Sequence, residues 1–427
     1  MKVHVKNLPN CGKEISVEVP ADKVQAEVDA LYERIAQEAK IDGFRKGKAP
    51  LNVVRQRFKE NVKREVSDDV MPRFFQEALD QEKIQPVSKP RVKDYQFEEG
   101  SPLKFTASFE IRPDFSLKNY KGIKVKKESV VVTEEDVDRA VENLRDNAAK
   151  FNPVEDRPLA KGDLAVIDFE GRLDGVPFEG GKASRYPIFL GSGDMIPGFE
   201  DALLGLRKGE SKTFPLAFPK DYPKKELAGK KSEFTVTVQE IKEKILPALD
   251  DEFAKSVAGC DTVPQLREKV REQLKRSREN EQRAKMLEQV SEKLMKDHKF
   301  DVPESWVSME TFQLIRNGIQ HMRQHGMDPN QWDEKQKKEF NEKMRAQAER
   351  NVRVALLVDR VAEAEKIECK GSDWEAYLAK MSVQTGQPLD AVKQYVKQQG
   401  SEDQLKDRIR HEKTMDFLLD VANIEQK

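Results

Sequence analysis

Ile41-Asp42-Gly43-Phe44-Arg45-Lys46-Gly47-Lys48-Ala49-Pro50 separates two runs of helical periodicity. Before it, Val24, Val28, Leu31, Ile35 and Ala39 recur at steps of three or four; after it, Leu51, Val54, Phe58 and Val62 do the same. Two amphipathic helices joined by a glycine-bounded loop form a hairpin whose tip faces water. That tip carries one aromatic ring and three cations. A phenylalanine there adds nothing to a core, so its position predicts a docking role. The local charge agrees. Residues 40–64 hold nine Lys or Arg against two acids, nine minus two giving +7, in a chain whose totals are 76 and 77.

Outward from the hairpin the periodicity changes. Val3 and Val5, then Ile15, Val17 and Val19, alternate with polar neighbours as a strand pair. The helical pattern runs on to about Lys83, and two more strands follow, the clearer being Leu103, Phe105, Ala107, Phe109 and Ile111. Strands on both sides of a helical hairpin predict a compact α+β domain over residues 1–113. Residues 114–132 read as extended, and Thr133 with Asp136 opens a short helix through Val137, Val141 and Leu144.

Residues 151–246 form a glycine-rich stretch of short strands: Leu164, Val166, Asp168; Phe214, Leu216; Phe234, Val236, Val238, with a turn at Asp174-Gly175. This predicts a small, mostly β domain. Residues 247–427 read as helical, with starts at Thr262, Pro303, Pro329, Ser372, Pro388 and Ser401. Lys275–Lys285 offers one alanine and no larger apolar side chain, so a helix there cannot be buried and must bridge solvent. The fold class is α+β multidomain, with an extended, arm-like all-α C-terminal region.

Balanced charge removes any bulk field for DNA or a membrane surface. Cys11, Cys260 and Cys369 are odd in number, far apart and without CxxC spacing, which argues against a disulfide framework and for a reducing cytoplasm. Met1–Pro9 has no apolar run suited to a signal peptide, and no stretch approaches the roughly eighteen apolar residues of a membrane span. Gly191-Ser192-Gly193 lacks the third glycine of a dinucleotide loop, and no GxxxxGK[ST] occurs. His321 and His325 have helical ligand spacing but no third ligand nearby, so no metal is expected.

One ordered set of motifs spans residues 162–245: Gly162-Asp163, Ile167–Gly171, Asp174–Glu179, Gly191–Glu200, Phe218–Tyr222, Leu227-Ala228-Gly229 and the strand from Phe234 to Ile241. In order and spacing it resembles the FKBP-type peptidyl-prolyl isomerases. The chemistry such a domain performs needs no nucleophile, metal or cofactor. Rotation about a peptide bond is opposed by amide resonance, a barrier of ~18–20 kcal/mol. The planar amide is more charge-separated than the twisted one, so a dry aromatic pocket withdraws water's preference for the planar form. A donor aimed at the amide oxygen or at the proline nitrogen then favours the twisted state. The resemblance implies a pocket lined by Phe169, Phe178, Met195, Ile196, Phe199, Tyr222 and Phe234, with Glu179 at its polar edge. Phe169 stands where a tyrosine is usual, and Phe199 where a tryptophan usually forms the floor. The competing reading makes these aromatics mere core of a small barrel. It suits Phe169 and Phe234, on strands, better than Phe199, read as part of a loop between Gly198 and Glu200.

The basic hairpin, the mid-chain isomerase-like domain and the helical remainder together resemble the trigger factor family of ribosome-associated bacterial chaperones. The resemblance implies that Gly43, Phe44, Arg45, Lys46, Gly47 and Lys48 dock on the large ribosomal subunit beside the tunnel exit, on protein and RNA. It implies that residues 114–150 connect to, and pack with, the C-terminal domain, around an inserted isomerase domain. It further implies nascent and unfolded polypeptides as partners, no DNA or membrane, and no cofactor or ATP. It leaves a homodimer away from the ribosome open. Eight of eleven methionines fall after residue 250, which suits adaptable apolar contacts, although helical methionines more often fill cores. Two other readings compete: a stand-alone isomerase or holdase that never meets the ribosome, and an RNA-binding protein, which lacks any RNP-like motif or zinc knuckle.

Overall fold

The structure is a computed structural model that describes residues 1–427 except 221, 223–226 and 427; the side chains of residues 179 and 331 also lie outside the described set. Along the chain run β1 (Lys2–Asn7), β2 (Gly12–Val19), α1 (Ala21–Glu38), α2 (Leu51–Glu65), α3 (Met71–Glu82), β3 (Arg91–Gln96), β4 (Leu103–Glu110) and β5 (Lys124–Lys127). Next come α4 (Glu134–Asn147), β6 (Lys150–Val154), β7 (Leu164–Leu173), β8 (Val176–Phe189), α5 (Phe199–Leu203), β9 (Ser211–Ala217) and β10 (Lys231–Ile245). Helices follow: α6 (Asp251–Ala258), α7 (Val263–Asp297), α8 (Glu304–Gln324), α9 (Glu334–Glu365), α10 (Gly371–Thr385), α11 (Leu389–Gln398) and α12 (Glu402–Asp420), before a last strand, β11 (Asn423–Gln426). The chain divides into two compact units: Met1–Glu128 with Arg283–Lys427, and Ser129–Gln282.

In the first unit, β1 to β4 make an antiparallel sheet of order β1-β2-β4-β3. Ile15, Val17 and Val19 on β2 lie opposite Ala107, Phe105 and Leu103 on β4, so the alternation in both strands feeds one core. Val24, Val28, Leu31 and Tyr32 of α1 and Val54 and Val62 of α2 close over it. Burying each such aliphatic side chain contributes about 1.5–3 kcal/mol. One π-helical turn, Val66–Val70, joins α2 to α3, and Lys83 ends α3 in the left-handed conformation (φ 53°).

Of residues 114–132 only β5 is a strand. It pairs in parallel with β11, and on its other edge the Gln289 side chain accepts from Lys126 N (2.9 Å) and donates to Lys126 O (3.1 Å). Gln289 thus stands in for a neighbouring strand. Upstream, Phe115 stacks on Phe300 (4.1 Å between centroids), and the buried His298 accepts from Lys118 N (2.8 Å) while facing Leu294 O (2.8 Å). Ile123 and Val125 share a core with Val290, Leu294, Leu357 and Leu418.

Helix starts at Thr262, Pro303, Pro388 and Ser401 agree with the periodicity. Two differ. Pro329 opens only a short 3-10 turn, and α9 begins after Asp333, whose carboxylate accepts from Gln336 N in a capping box. α10 begins at Gly371, one residue ahead of Ser372. The polar stretch Lys275–Lys285 lies within α7, and none of its residues is buried.

In the second unit, β10 is the hub. Its first half pairs with β9 on one edge, its end with β6, and its other edge with β7, which continues to β8. The inward parity of β7 differs from the sequence reading. Ala165, Ile167 and Phe169 face the core, not Leu164 and Asp168, and Val166 is also buried. Both faces of β7 are partly covered, which hides the period-2 signal. Asp174 (φ 49°) and Gly175 (φ 82°) form the two-residue turn between β7 and β8. No described helix is long and apolar enough to cross a membrane.

Candidate functional sites

Strands β7, β8 and β10 and the start of α5 bring together the aromatics that the sequence leaves up to 65 residues apart. Phe199 is the centre, at 6.0 Å from Phe169, 5.6 Å from Phe214 and 5.4 Å from Phe234, measured between ring centroids. All three contacts are edge-on, the arrangement that aligns ring edges with ring faces. Phe234 continues to Phe178 (6.1 Å), Phe178 to Phe218 (5.8 Å), and Phe218 to Tyr222 (4.7 Å). At the other end Tyr186 meets Phe169 at 5.7 Å.

Phe199 corrects the sequence reading. It is the first residue of α5 rather than part of a loop, and it is fully buried (0% exposed). Phe234 is buried, whereas Phe169, Phe178, Met195, Ile196 and Tyr222 are half-buried and border the cluster. The Glu179 side chain lies outside the described residues. Among those described, no group bonds the Tyr222 hydroxyl, while its backbone N–H donates to Pro219 O (3.2 Å). Sequence reasoning missed Tyr186, Phe214 and Phe218 as members of the cluster. It also missed why Gly171 and Gly181 are glycines: a Cβ on either would sit 2.7 Å from the Phe178 ring. Two bare backbones make the slot into which that ring fits.

The loop carrying Met195 and Ile196 is held by Glu200, in the first turn of α5. Its carboxylate accepts from Gly191 N (2.6 Å), Gly193 N (2.9 Å) and the Ser192 hydroxyl (3.2 Å). Glu200→Ala releases three donors at once. The expected result is a stability loss of about 1–3 kcal/mol and slower X-Pro peptide turnover, measured by denaturant unfolding alongside a prolyl-isomerase assay. Unchanged turnover in a folded variant would show that this loop does not position the pocket.

A second brace is Asp163, nearly buried. It accepts from both arms of Arg157 (2.6 and 2.9 Å) and from Ala160 N (2.9 Å). The Arg157 hydrogen bonds, outweighing burial, hold this carboxyl below the usual carboxylate range. A depressed folded pKa stabilises above the unfolded value of about 3.9, and the gain is lost as pH falls through the folded value. Asp163→Asn should therefore cost about 1–3 kcal/mol at pH 7, with the gap to wild type narrowing below about pH 4 in unfolding titrations. A gap independent of pH would show that the charge contributes nothing.

The other candidate site is the hairpin tip. Ile41 is buried in the N-terminal core and Ala49 packs against it, so both feet of the loop are anchored. Between them Asp42 to Lys48 are all exposed, Phe44 to 41%. Two successive turns, Phe44 N to Ile41 O (3.0 Å) and Lys48 N to Arg45 O (2.9 Å), shape the tip. Gly43 (φ 91°) and Gly47 (φ 77°) adopt left-handed conformations that side chains resist. Asp42 is engaged by Arg57 at 3.5 Å, whereas Arg45, Lys46 and Lys48 pair with no carboxylate among the described residues. Below the tip, Arg55 lies over the buried Tyr32 ring (4.9 Å) and pairs with Asp29 (2.5 Å), joining α1 to α2. The structure brings Gly43 to Lys48 together at this one loop.

This architecture and its aromatic cluster define a multidomain α+β protein built around an FKBP-type domain. The family profile for FKBP-type peptidyl-prolyl cis-trans isomerase matches residues 155–239. Profiles for bacterial trigger factor protein match residues 1–144 and, for its C-terminus, 262–420. A trigger factor from Geobacillus sp. (strain WCH70) is 38% identical over 415 residues, covering 96% of each chain. One from Bacillus mycoides (strain KBAB4) is 37% identical over 413 residues with the same coverage. A solved structure described as the trigger factor chaperone, with promiscuous substrate recognition, shares the fold at a TM-score of 0.52 and 22% identity, covering 98% of this chain and 99% of that one. The chain belongs to the trigger factor family of chaperones.

Proposed function

We propose that this protein is an ATP-independent chaperone of the cytoplasm that docks on the ribosome through Gly43–Lys48, holds nascent chains, and isomerises X-Pro bonds. Residues 1–113 would dock, residues 151–246 would isomerise, and the helical region 247–427, with the segment 114–150, would hold clients. The observation that carries this reading is the exposed Phe44 ring beside Arg45, Lys46 and Lys48, which pair with no carboxylate among the described residues, on a loop anchored at both feet. An apolar anchor ringed by positive charge suits an apolar pocket bordered by acidic protein or RNA phosphate. For isomerisation, the support is the chain of ring contacts from Phe169 through Phe199, Phe234, Phe178 and Phe218 to Tyr222, whose half-buried members would exclude water around a twisted amide. The Tyr222 hydroxyl is left to donate to a substrate carbonyl. Met195 and Ile196, on the loop braced by Glu200, would border the proline ring.

The test uses the full chain. It should pellet with ribosomes at low salt, pellet less at high salt as surface charges are screened, and accelerate proline-limited refolding of an unfolded protein. Refolding acceleration without pelleting at any salt would establish the stand-alone isomerase instead.

A further inference from the structure

We propose that Asp168 is a positioning residue of the isomerase site: it pins a bulge in β8 that turns Tyr186 to the pocket face, where the ring meets the chain flanking the proline. This rests on the isomerase reading and deepens it.

The strand register carries the inference. Leu164 to Ile167 of β7 pair in sequence with Phe189 to Tyr186 of β8. Phe169 then pairs with Ala183 and Glu170 with Lys182, so Ser184 and Arg185 together face the single residue Asp168. That is one residue too many on β8, a bulge. Side chains alternate between the two faces of a sheet, so a slip of one residue exchanges the faces. If the pairing of Phe169 with Ala183 ran on without the bulge, Arg185 would oppose Ile167 and Tyr186 would oppose Val166. With the bulge, Tyr186 opposes the buried Ile167 and shares the face that carries Phe169. Its ring meets Phe169 edge-on at 5.7 Å and 89°, yet stays 43% exposed. A ring on the core face that remains open to solvent can form the wall of a site.

The bulge is strained, and Asp168 offsets the strain. Arg185 has φ 52°, a left-handed conformation that any side chain with a Cβ resists. One Asp168 oxygen accepts from Arg185 N (2.6 Å), and the other accepts from Gln239 Nε2 (2.7 Å). Gln239 is itself the extra residue at a register shift between Val238 and Glu240 on β10. A single carboxylate therefore pins irregularities in the strands on both edges of β7. The Arg185 guanidinium adds a further tie, pairing with Glu240 at 2.5 Å. Strained backbone that its surroundings hold this firmly collects at functional sites, and here its effect is to set an aromatic wall.

Steady-state isomerase kinetics of the full chain on an X-Pro peptide, with KM and kcat resolved, test the proposal. Phe169 separates Tyr186 from the Phe199 floor, so losing the Tyr186 ring weakens the hold on substrate and leaves the twisting step alone. Asp168→Ala and Tyr186→Ala should each raise KM about fivefold, with kcat within about twofold of wild type. The double variant should be no worse than Tyr186→Ala, because Asp168 acts through that ring. Asp168→Asn should bring KM back to within about twofold of wild type, since its amide oxygen still accepts from Arg185 N and the Gln239 amide can turn to accept from its NH2. Thermal unfolding reports that each variant is folded. If Asp168→Ala melts below the assay temperature, Arg185→Val carries the same test, because a branched side chain resists left-handed backbone and loosens the bulge with Asp168 intact. An unmoved KM in a folded variant, or Asp168 and Tyr186 effects that multiply, would overturn the proposal while leaving the isomerase reading in place. No turnover by the wild-type chain would remove that reading as well.

Discussion

Phe199→Ala is expected to lower the melting temperature of the Ser129–Gln282 unit by about 10–20 °C and to abolish X-Pro turnover. The ring is fully buried and meets three others edge-on, so its removal leaves a cavity that backbone strands cannot collapse to fill. Phe→Ala at such sites costs about 3–5 kcal/mol, a large share of a domain's 5–15 kcal/mol. The lost stability would by itself lower turnover, so Ala cannot separate catalysis from stability. Phe199→Leu can. It keeps most of the volume at a cost of about 1–2 kcal/mol and removes the flat floor, so turnover should fall about tenfold in a folded protein. Calorimetry and a peptide isomerase assay check both variants. If Phe199→Leu turns over like wild type, this ring is core and nothing more.

The second large effect concerns the hairpin. Phe44→Ala, Arg45→Ala and Lys46→Ala together should reduce ribosome affinity at least about hundredfold. A buried aromatic anchor is worth about 2 kcal/mol or more, and two interfacial cations about 1 kcal/mol, giving about 3 kcal/mol and two decades in Kd. Stability should move by less than about 0.5 kcal/mol, because all three side chains are exposed and none braces the loop. Co-sedimentation with purified ribosomes, paired with thermal unfolding, reads both quantities. Undiminished pelleting of the triple variant would end the docking assignment. The Glu200 and Asp163 variants test other layers of the same molecule: loop positioning and pH-linked stability.

Much of this molecule is local chemistry and can be read along the chain. The hairpin, its glycine-bounded tip and the +7 charge around it follow from helical spacing and from residues that need left-handed backbone. The Asp174-Gly175 turn and the Thr133–Asp136 capping box follow in the same way, since each involves neighbours three residues apart or fewer.

Other features depend on contacts between distant segments, which periodicity does not encode. The inward parity of β7 was masked because both its faces are partly covered, so Ala165 and Ile167 became core where Leu164 looked equally suitable. Phe199 next to Gly198 resembled a loop residue until α5 folded it beneath Phe169 and Phe234. Gly171 and Gly181 acquire their meaning only when the Phe178 ring lies across them. The Gln289 amide replaces a strand beside β5 from more than 160 residues away. Local spacing determines which backbone forms and which side chains sit at its turns, because those energies are settled within one or two helical turns. Which rings gather in one cluster is a long-range outcome of packing, set by the sum of many contacts that no short window contains.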